Sequence, residues 1–219
     1  RTRLSAKRRK PIMGIGLGRF GGAVSRTLER MGHEVLAVDI DPALVQEFAG
    51  ELTKVVEADA TDTTTLEQLG AKDFDSAVVG IGTNIEASVL IVLALSDLGL
   101  KNIWAKATNE KHARILERTG AAHVVFPEQR MGERVAHLIN ERLLDFIAFG
   151  DEFAIARLIA PEPLLGLPLV TSQCRKKYDV TVVGVKREGE NFIHAVPDTI
   201  IFPGDELVVS GKIHDLEAF

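Results

Sequence analysis

Gly16-Leu17-Gly18-Arg19-Phe20-Gly21 decides the fold of this chain because of what stands on either side of it. Before it, Ile12-Met13-Gly14-Ile15 is a short apolar run that reads as a buried strand. After it, Ala23 to Met31 reads as a helix with Val24 and Leu28 on one face. Strand, glycine-rich turn and helix in that order are the context of a dinucleotide-type fingerprint. The first glycine permits the tight turn, the second lets phosphate approach the backbone, and the third lets helix pack on strand. The helix start then offers free N–H groups and a positive dipole end to an anion. Arg19 adds a full positive charge on that side. Backbone alone serves a diphosphate well, so the arginine suits a more highly charged phosphate chain.

The same alternation continues to about Phe126. Strands are expected at Ile12–Ile15, Glu34–Asp39, Lys54–Ala58, Ser76–Ile81, Ile103–Ala107 and His123–Phe126. Helix starts are marked between them. Asp41 precedes Pro42 as an N-cap, Asn84 stands before Ile85 to Leu98, and Asn109 before Glu110 to Arg118. Strands alternating with helices predict an α/β, Rossmann-like, doubly wound parallel sheet. Ligands of such sheets bind at the carboxyl ends of the strands.

Met131 to Ile147 reads as one long amphipathic helix, with Val135, Leu138, Ile139, Leu143 and Phe146 on one face. Phe149-Gly150-Asp151 breaks it. Prolines 161, 163 and 168 then cluster, followed by short strands at Val180–Lys186, Asn191–Ala195 and Glu206–Ser210. The expected organisation is a basic tail (1–10), a nucleotide-binding lobe (11–130), a crossover helix and linker (131–150), and a small α+β C-lobe (151–219).

Composition narrows the class. The 219 residues are 46% hydrophobic and 26% charged, as in an ordinary globular chain. No apolar run approaches the ~20 residues a membrane-spanning helix needs, and no signal-peptide pattern is present. A lone Cys174 rules out an internal disulfide framework. The expected location is therefore cytoplasmic. A net charge of −5 argues against general nucleic-acid binding, although Arg1, Arg3, Lys7, Arg8, Arg9 and Lys10 form a basic N-terminal cluster.

Several side chains stand where strands end. Asp39 can accept both ribose hydroxyls and would repel a 2′-phosphate, or serve as a loop carboxylate; neighbouring Asp41 is the better helix cap. Asp59-Ala60-Thr61 can meet an adenine edge or form an ordinary turn. Ile81-Gly82-Thr83-Asn84 closes the fourth strand, with the glycine permitting close ligand approach and Asn84 acting as cap or contact. Lys106 follows an apolar strand and needs an anion, a phosphate or a salt-bridge partner. His112 in the next helix reads equally as exposed surface. Glu128 could hold a cation on phosphates or favour the start of the following helix.

Together these residues resemble the Ktr/Trk family of potassium-uptake regulators, built on the regulator-of-potassium-conductance (RCK, or KTN) domain. The resemblance is carried by Gly16–Gly21, Met31–Asp41, Val79–Asn84, Ile103–Ala107, His112–Ala121 and Pro127–Gly132, and runs from Pro11 to Phe219. The single-copy length looks like a Ktr-type subunit. The resemblance implies ATP or ADP bound in the first lobe, with Arg19 at the phosphates and Asp39, beside Ile40 and Asp41, at the ribose. It places Asp59 and Ala60 by the adenine, and Ile81 to Thr83 with Lys106, Ala107 and Thr108 around sugar and phosphates. It puts His112 and Glu128 near the phosphates, Glu128 at a site for Mg²⁺ or another cation between subunits. A homodimer and an octameric ring, peripheral to the cytoplasmic membrane face, would gate an integral-membrane potassium-translocating subunit. Some family C-lobes also bind cyclic di-AMP; Arg175 and Pro197 resemble parts of that site, but Thr181 stands where asparagine is common. Gly14 departs from the branched residue usual in the first strand, which should weaken that strand's packing.

Other readings compete. An NAD(H)-binding potassium regulator is the nearest. An NAD-dependent oxidoreductase lacks chain for a substrate domain, and Tyr178, the only tyrosine, lies in the small lobe. A DNA-binding redox sensor lacks a helix-turn-helix signal and a basic balance.

Overall fold

The structure, a computed structural model, describes residues 11–139 and 143–219. The basic cluster at 1–10 and the middle of the expected long helix, 140–142, lie outside the described residues. Two compact units make up the chain, the first ending at Pro127 and the second running from Glu128 to Phe219.

The first unit alternates strand and helix: β1 (Ile12–Ile15), α1 (Arg19–Arg30), β2 (Val35–Asp39), α2 (Pro42–Phe48), β3 (Lys54–Glu57), α3 (Thr63–Gln68), β4 (Ser76–Val79), α4 (Ile85–Asp97), β5 (Asn102–Lys106), α5 (Glu110–Thr119) and β6 (His123–Val125). The six strands are parallel in the order β3-β2-β1-β4-β5-β6. That is the doubly wound arrangement, with its switch point between β1 and β4. Apolar side chains cover both faces of the sheet. Met13, Ile15, Val38, Ile91, Leu95 and Leu116 fill one layer, and Leu17, Val35, Ala37, Phe48 and Leu52 fill the other. At the centre of a parallel sheet this double cover makes strands such as β1 and β2 read as continuous apolar runs.

Local chemistry sets the joints. α1 begins at Arg19, not at Ala23, because Gly18 is its N-cap and the Gly18 carbonyl accepts from the Gly22 N–H at 2.8 Å. Gly14 does not loosen β1. A Cβ there would stand 2.6 Å from the buried Ser25 Oγ, so its absence lets α1 lie close on the strand.

The second unit holds α6 (Pro127–Leu138, entered at the unit boundary), β7 (Asp145–Phe149), β8 (Phe153–Ile159), α7 (Leu169–Ser172), α8 (Cys174–Tyr178), β9 (Val180–Lys186), β10 (Ile193–His194), β11 (Glu206–Lys212) and α9 (Ile213–Ala218). Its sheet is antiparallel in the order β10-β9-β11-β8-β7. The single helix expected over 131–147 is corrected here: α6 stops at Leu138, and Phe146 and Ile147 belong to β7. Aromatic and β-branched residues in Phe146–Phe149 favour a strand, and Gly150 at φ +71° turns the chain back so that Phe149 pairs with Phe153. α6 makes side-chain contacts within the second unit. Arg134 bonds Asp145, and His137 stacks on Phe146 at 4.1 Å and reaches Glu217 at 2.8 Å, tying the helix to the second unit. Leu143 and Phe146 are buried in that unit's core, whereas Met131, Val135 and Ile139 remain exposed.

Candidate functional site

A cavity of about 640 Å³ opens at the carboxyl ends of β1, β2, β3, β4 and β5. Of the residues singled out from sequence, Gly16, Gly18, Arg19, Phe20, Asp39, Ile40, Asp59, Ala60, Ile81, Gly82, Thr83, Asn84 and Lys106 line it. The size suits a nucleotide, since small-ligand sites run about 300–1,000 Å³.

The glycines divide their work. Gly16 turns the chain at φ +89°. A Cβ on Gly21 would overlap the Gly16 carbonyl oxygen, so helix and turn can meet only there without a side chain. At Gly18, by contrast, an added Cβ meets no protein atom within 4 Å, and the residue is exposed on the cavity. α1 carries no acidic residue in its first turn, and the N–H groups that begin it point toward the space beside Gly18 and Arg19.

Asp39 is fixed before any ligand arrives. One oxygen accepts from the Leu17 N–H at 2.6 Å and the other from the Asp41 N–H at 2.8 Å. Each carboxylate oxygen keeps a further acceptor position, so the group can still receive hydroxyl donors. Asp59 accepts from the Thr61 hydroxyl at 2.6 Å and the Thr61 N–H at 2.9 Å. Those two bonds hold its carboxyl below the usual carboxylate range. Asn84 caps α4 by accepting from the Ala87 N–H at 3.0 Å and also lines the cavity.

Gly82 lines the cavity and also has a packing role. A Cβ there would stand 2.9 Å from both Cε and Nζ of Lys106. The glycine makes room for the lysine side chain, which lies across it toward the cavity.

The remaining candidates lie outside the cavity lining. Asp41 caps α2 by accepting from the Ala43 N–H at 2.9 Å. Ala107 is buried, its N–H donating to the Val125 carbonyl at 2.9 Å. Thr108 is exposed. His112 is not on the surface: it is 1% exposed and bonds Ser88 Oγ at 2.7 Å. Glu128 sits in the first turn of α6, the first residue of the second unit. Among the described residues no cluster of three or more His, Cys, Asp or Glu side chains forms a metal site. In the second unit, Arg175 Nε donates to Thr181 Oγ1 at 3.1 Å, and the Pro197 carbonyl accepts from the Val170 N–H at 2.9 Å.

Leu44, Glu86, Ala87 and Leu90 also line the cavity and escaped sequence reasoning. Glu86 and Leu90 share one helical face just past the Asn84 cap, a spacing that was readable once the cap was placed.

Burial lowers the proton affinity of His112 below that of a free histidine. A histidine so shifted stabilises fully above about pH 6.5, and that contribution disappears as pH falls toward the lowered folded value. Urea unfolding should therefore show stability falling below that pH by up to about 1.4 kcal/mol per pH unit. His112→Gln should lose this pH dependence, so the wild-type minus variant difference should shrink as pH falls through the same window; a constant difference would contradict this.

Comparison with known proteins agrees with the architecture. The TrkA-N domain model matches residues 12–127 and the TrkA-C domain model residues 153–219. The chain is 40% identical over 206 residues to the Ktr system potassium uptake protein A of Bacillus subtilis (strain 168), covering 94% of this chain and 93% of that relative. The GsuK RCK domain superposes with a TM-score of 0.64 at 21% identity, over 98% of this chain and 47% of that one. The GsuK channel bound to NAD gives 0.63 at 20% identity, over 97% and 39%. GsuK bound to ADP gives 0.51 at 19% identity, over 64% and 35%. The chain thus spans about half or less of those GsuK chains, and the likeness to them is one of fold. On the sequence matches, this chain belongs to the Ktr/Trk family of potassium-uptake proteins, built from a TrkA-N and a TrkA-C domain.

Proposed function

We propose that this protein is a non-enzymatic regulatory subunit that senses ATP and ADP and gates a membrane potassium translocator. The observation that carries the reading is the convergence of Arg19, Lys106 and the α1 N-terminus on one cavity that Asp39 and Asp59 also line. Two cations and a helix start favour a multiply charged phosphate chain, and the carboxylates favour hydroxyl and amino donors of a ribose and adenine. Among the described residues no helix is long and apolar enough to cross a membrane, so in this reading a partner subunit conducts the ion. Copies of the chain associate as a dimer and ring, for which the exposed Met131, Val135 and Ile139 are candidate contacts.

Glu128 is the candidate cation ligand. A single carboxylate with phosphate oxygens is a usual way to hold Mg²⁺, and Glu128 would supply that oxygen from a neighbouring subunit.

NAD(H) is the second reading, favoured by the NAD-bound GsuK channel, whose fold this chain shares. The two separate cleanly. Denaturing the purified protein and weighing the released nucleotide should give ATP or ADP, and calorimetry should show both binding at micromolar strength or tighter. NADH binding far more tightly than either would overturn the ATP reading in favour of the second.

A further inference from the structure

His112 is buried beside the site without lining it. It stands three residues after Asn109, the N-cap of α5, whose side chain accepts from the His112 N–H at 2.9 Å. In the reciprocal capping arrangement, the side chain at this position reaches back to the N-cap's own backbone N–H, and Glu or Gln normally supplies it; the imidazole reaches one residue further. Here His112 Nδ1 accepts from the Thr108 N–H at 3.3 Å.

The other ring nitrogen faces a different element. With Nδ1 an acceptor, the proton sits on Nε2 and is donated to Ser88 Oγ at 2.7 Å; Ser88 in turn donates to the Ile85 carbonyl at 3.3 Å. Ser88 is fully buried on α4, next to Ala87, which lines the cavity. Thr108 lies two residues past Lys106, which also lines it. Thus one neutral imidazole joins the two walls from behind. Ala107 pins the same connection to β6, so little play is left in the backbone that carries the lysine.

We infer that His112 is a positioning residue: by bridging Ser88 and the Thr108 N–H, it fixes the connection from β5 to α5 and so sets the Lys106 ammonium for ligand phosphate. The inference rests on the adenine-nucleotide reading above and adds the buried group that holds the lysine in place.

The test uses the full chain and calorimetry with adenosine, ADP and ATP. His112→Leu keeps most of the volume but removes both bonds. It should weaken ADP and ATP about tenfold while adenosine changes by less than about twofold. His112→Gln can reach back as a capping residue and should recover ADP affinity to within about threefold of wild type. Ser88→Ala, which removes only the far anchor, should weaken ADP about threefold and adenosine hardly at all. In a Lys106→Ala background, His112→Leu should cost no further ADP affinity, because the positioned group is gone.

Equal losses for adenosine and ADP, no loss in His112→Leu, or an additive loss in the Lys106→Ala background would overturn the inference while leaving the nucleotide site standing. If His112→Leu does not fold, Ser88→Ala carries the same comparison, and a uniform or absent effect overturns the inference. Wild-type protein that binds neither ADP nor ATP overturns the proposed function, and this inference with it.

Discussion

Gly21→Ala should unfold the first unit, whereas Gly18→Ala should leave it folded but poorly able to bind nucleotide. The two glycines are three residues apart in one motif, and their surroundings differ completely. A methyl group on Gly21 would overlap the Gly16 carbonyl oxygen, a backbone atom of the turn that cannot swing aside as a side chain can. Relief would require α1 to lift from β1, exposing Leu17 and its neighbours in the second core layer. Forced overpacking typically costs about 1–3 kcal/mol, and a clash with rigid backbone this close lies at or above the upper end. At Gly18 a methyl group meets no protein atom within 4 Å and projects into the cavity. The fold should tolerate it, while a phosphate held by the α1 N–H groups is displaced. Losing such charge-assisted bonds weakens binding by about 10- to 100-fold. Circular dichroism with chemical denaturation reads the first effect, and calorimetry with ADP the second. A stable Gly21→Ala protein, or undiminished ADP affinity in Gly18→Ala, would contradict this division of roles.

Arg19→Ala should weaken ATP by about 10- to 100-fold and leave adenosine nearly unchanged. Arg19 is exposed on the cavity at the first position of α1, so its removal disturbs no core packing. Adenosine lacks the phosphates on which that charge acts. The loss for ADP should be smaller than for ATP if the arginine acts at the outer end of the chain. Parallel losses for adenosine and ATP would show that the substitution perturbs the site as a whole. Calorimetry of the three ligands at constant ionic strength separates these cases, since exposed charges are screened by salt.

Particular residues show why much of the first unit was legible in sequence. β1 and the run that became β2 are buried on both faces, so each appears as an apolar stretch without alternation, whereas β4 and β5 alternate buried with less buried positions. Asp41, Asn84 and Asn109 do cap the helices that follow them. The misread segment lies where two periodicities overlap. Val135, Leu138, Ile139, Leu143 and Phe146 fit a helical stripe, yet Phe146 to Phe149 is held by hairpin pairing with β8 just across Gly150, a pairing that the helical spacing masks. β8 itself has buried alanines at 154 and 156 where larger residues would have marked a strand. In the site, carboxylates and cations announced themselves by ending strands. The burial of His112 did not, because Lys111 and Arg114 flank it and give the segment a surface texture. The packing of Lys106 over Gly82 was also hidden, since only the folded chain brings the two together.

The claim that nucleotide identity gates potassium passage is most directly tested by flux. Liposomes carrying the reconstituted translocating subunit, with this protein on the outside, should pass potassium at different rates under ATP and under ADP. A ligand shifts a conformational equilibrium only through its different affinities for the two states, so the γ-phosphate must account for that difference. Arg19→Ala should reduce it, and Glu128→Gln should remove the part that depends on Mg²⁺. Equal flux with ATP, with ADP and with no nucleotide, under conditions where calorimetry shows the sites filled, would contradict the account.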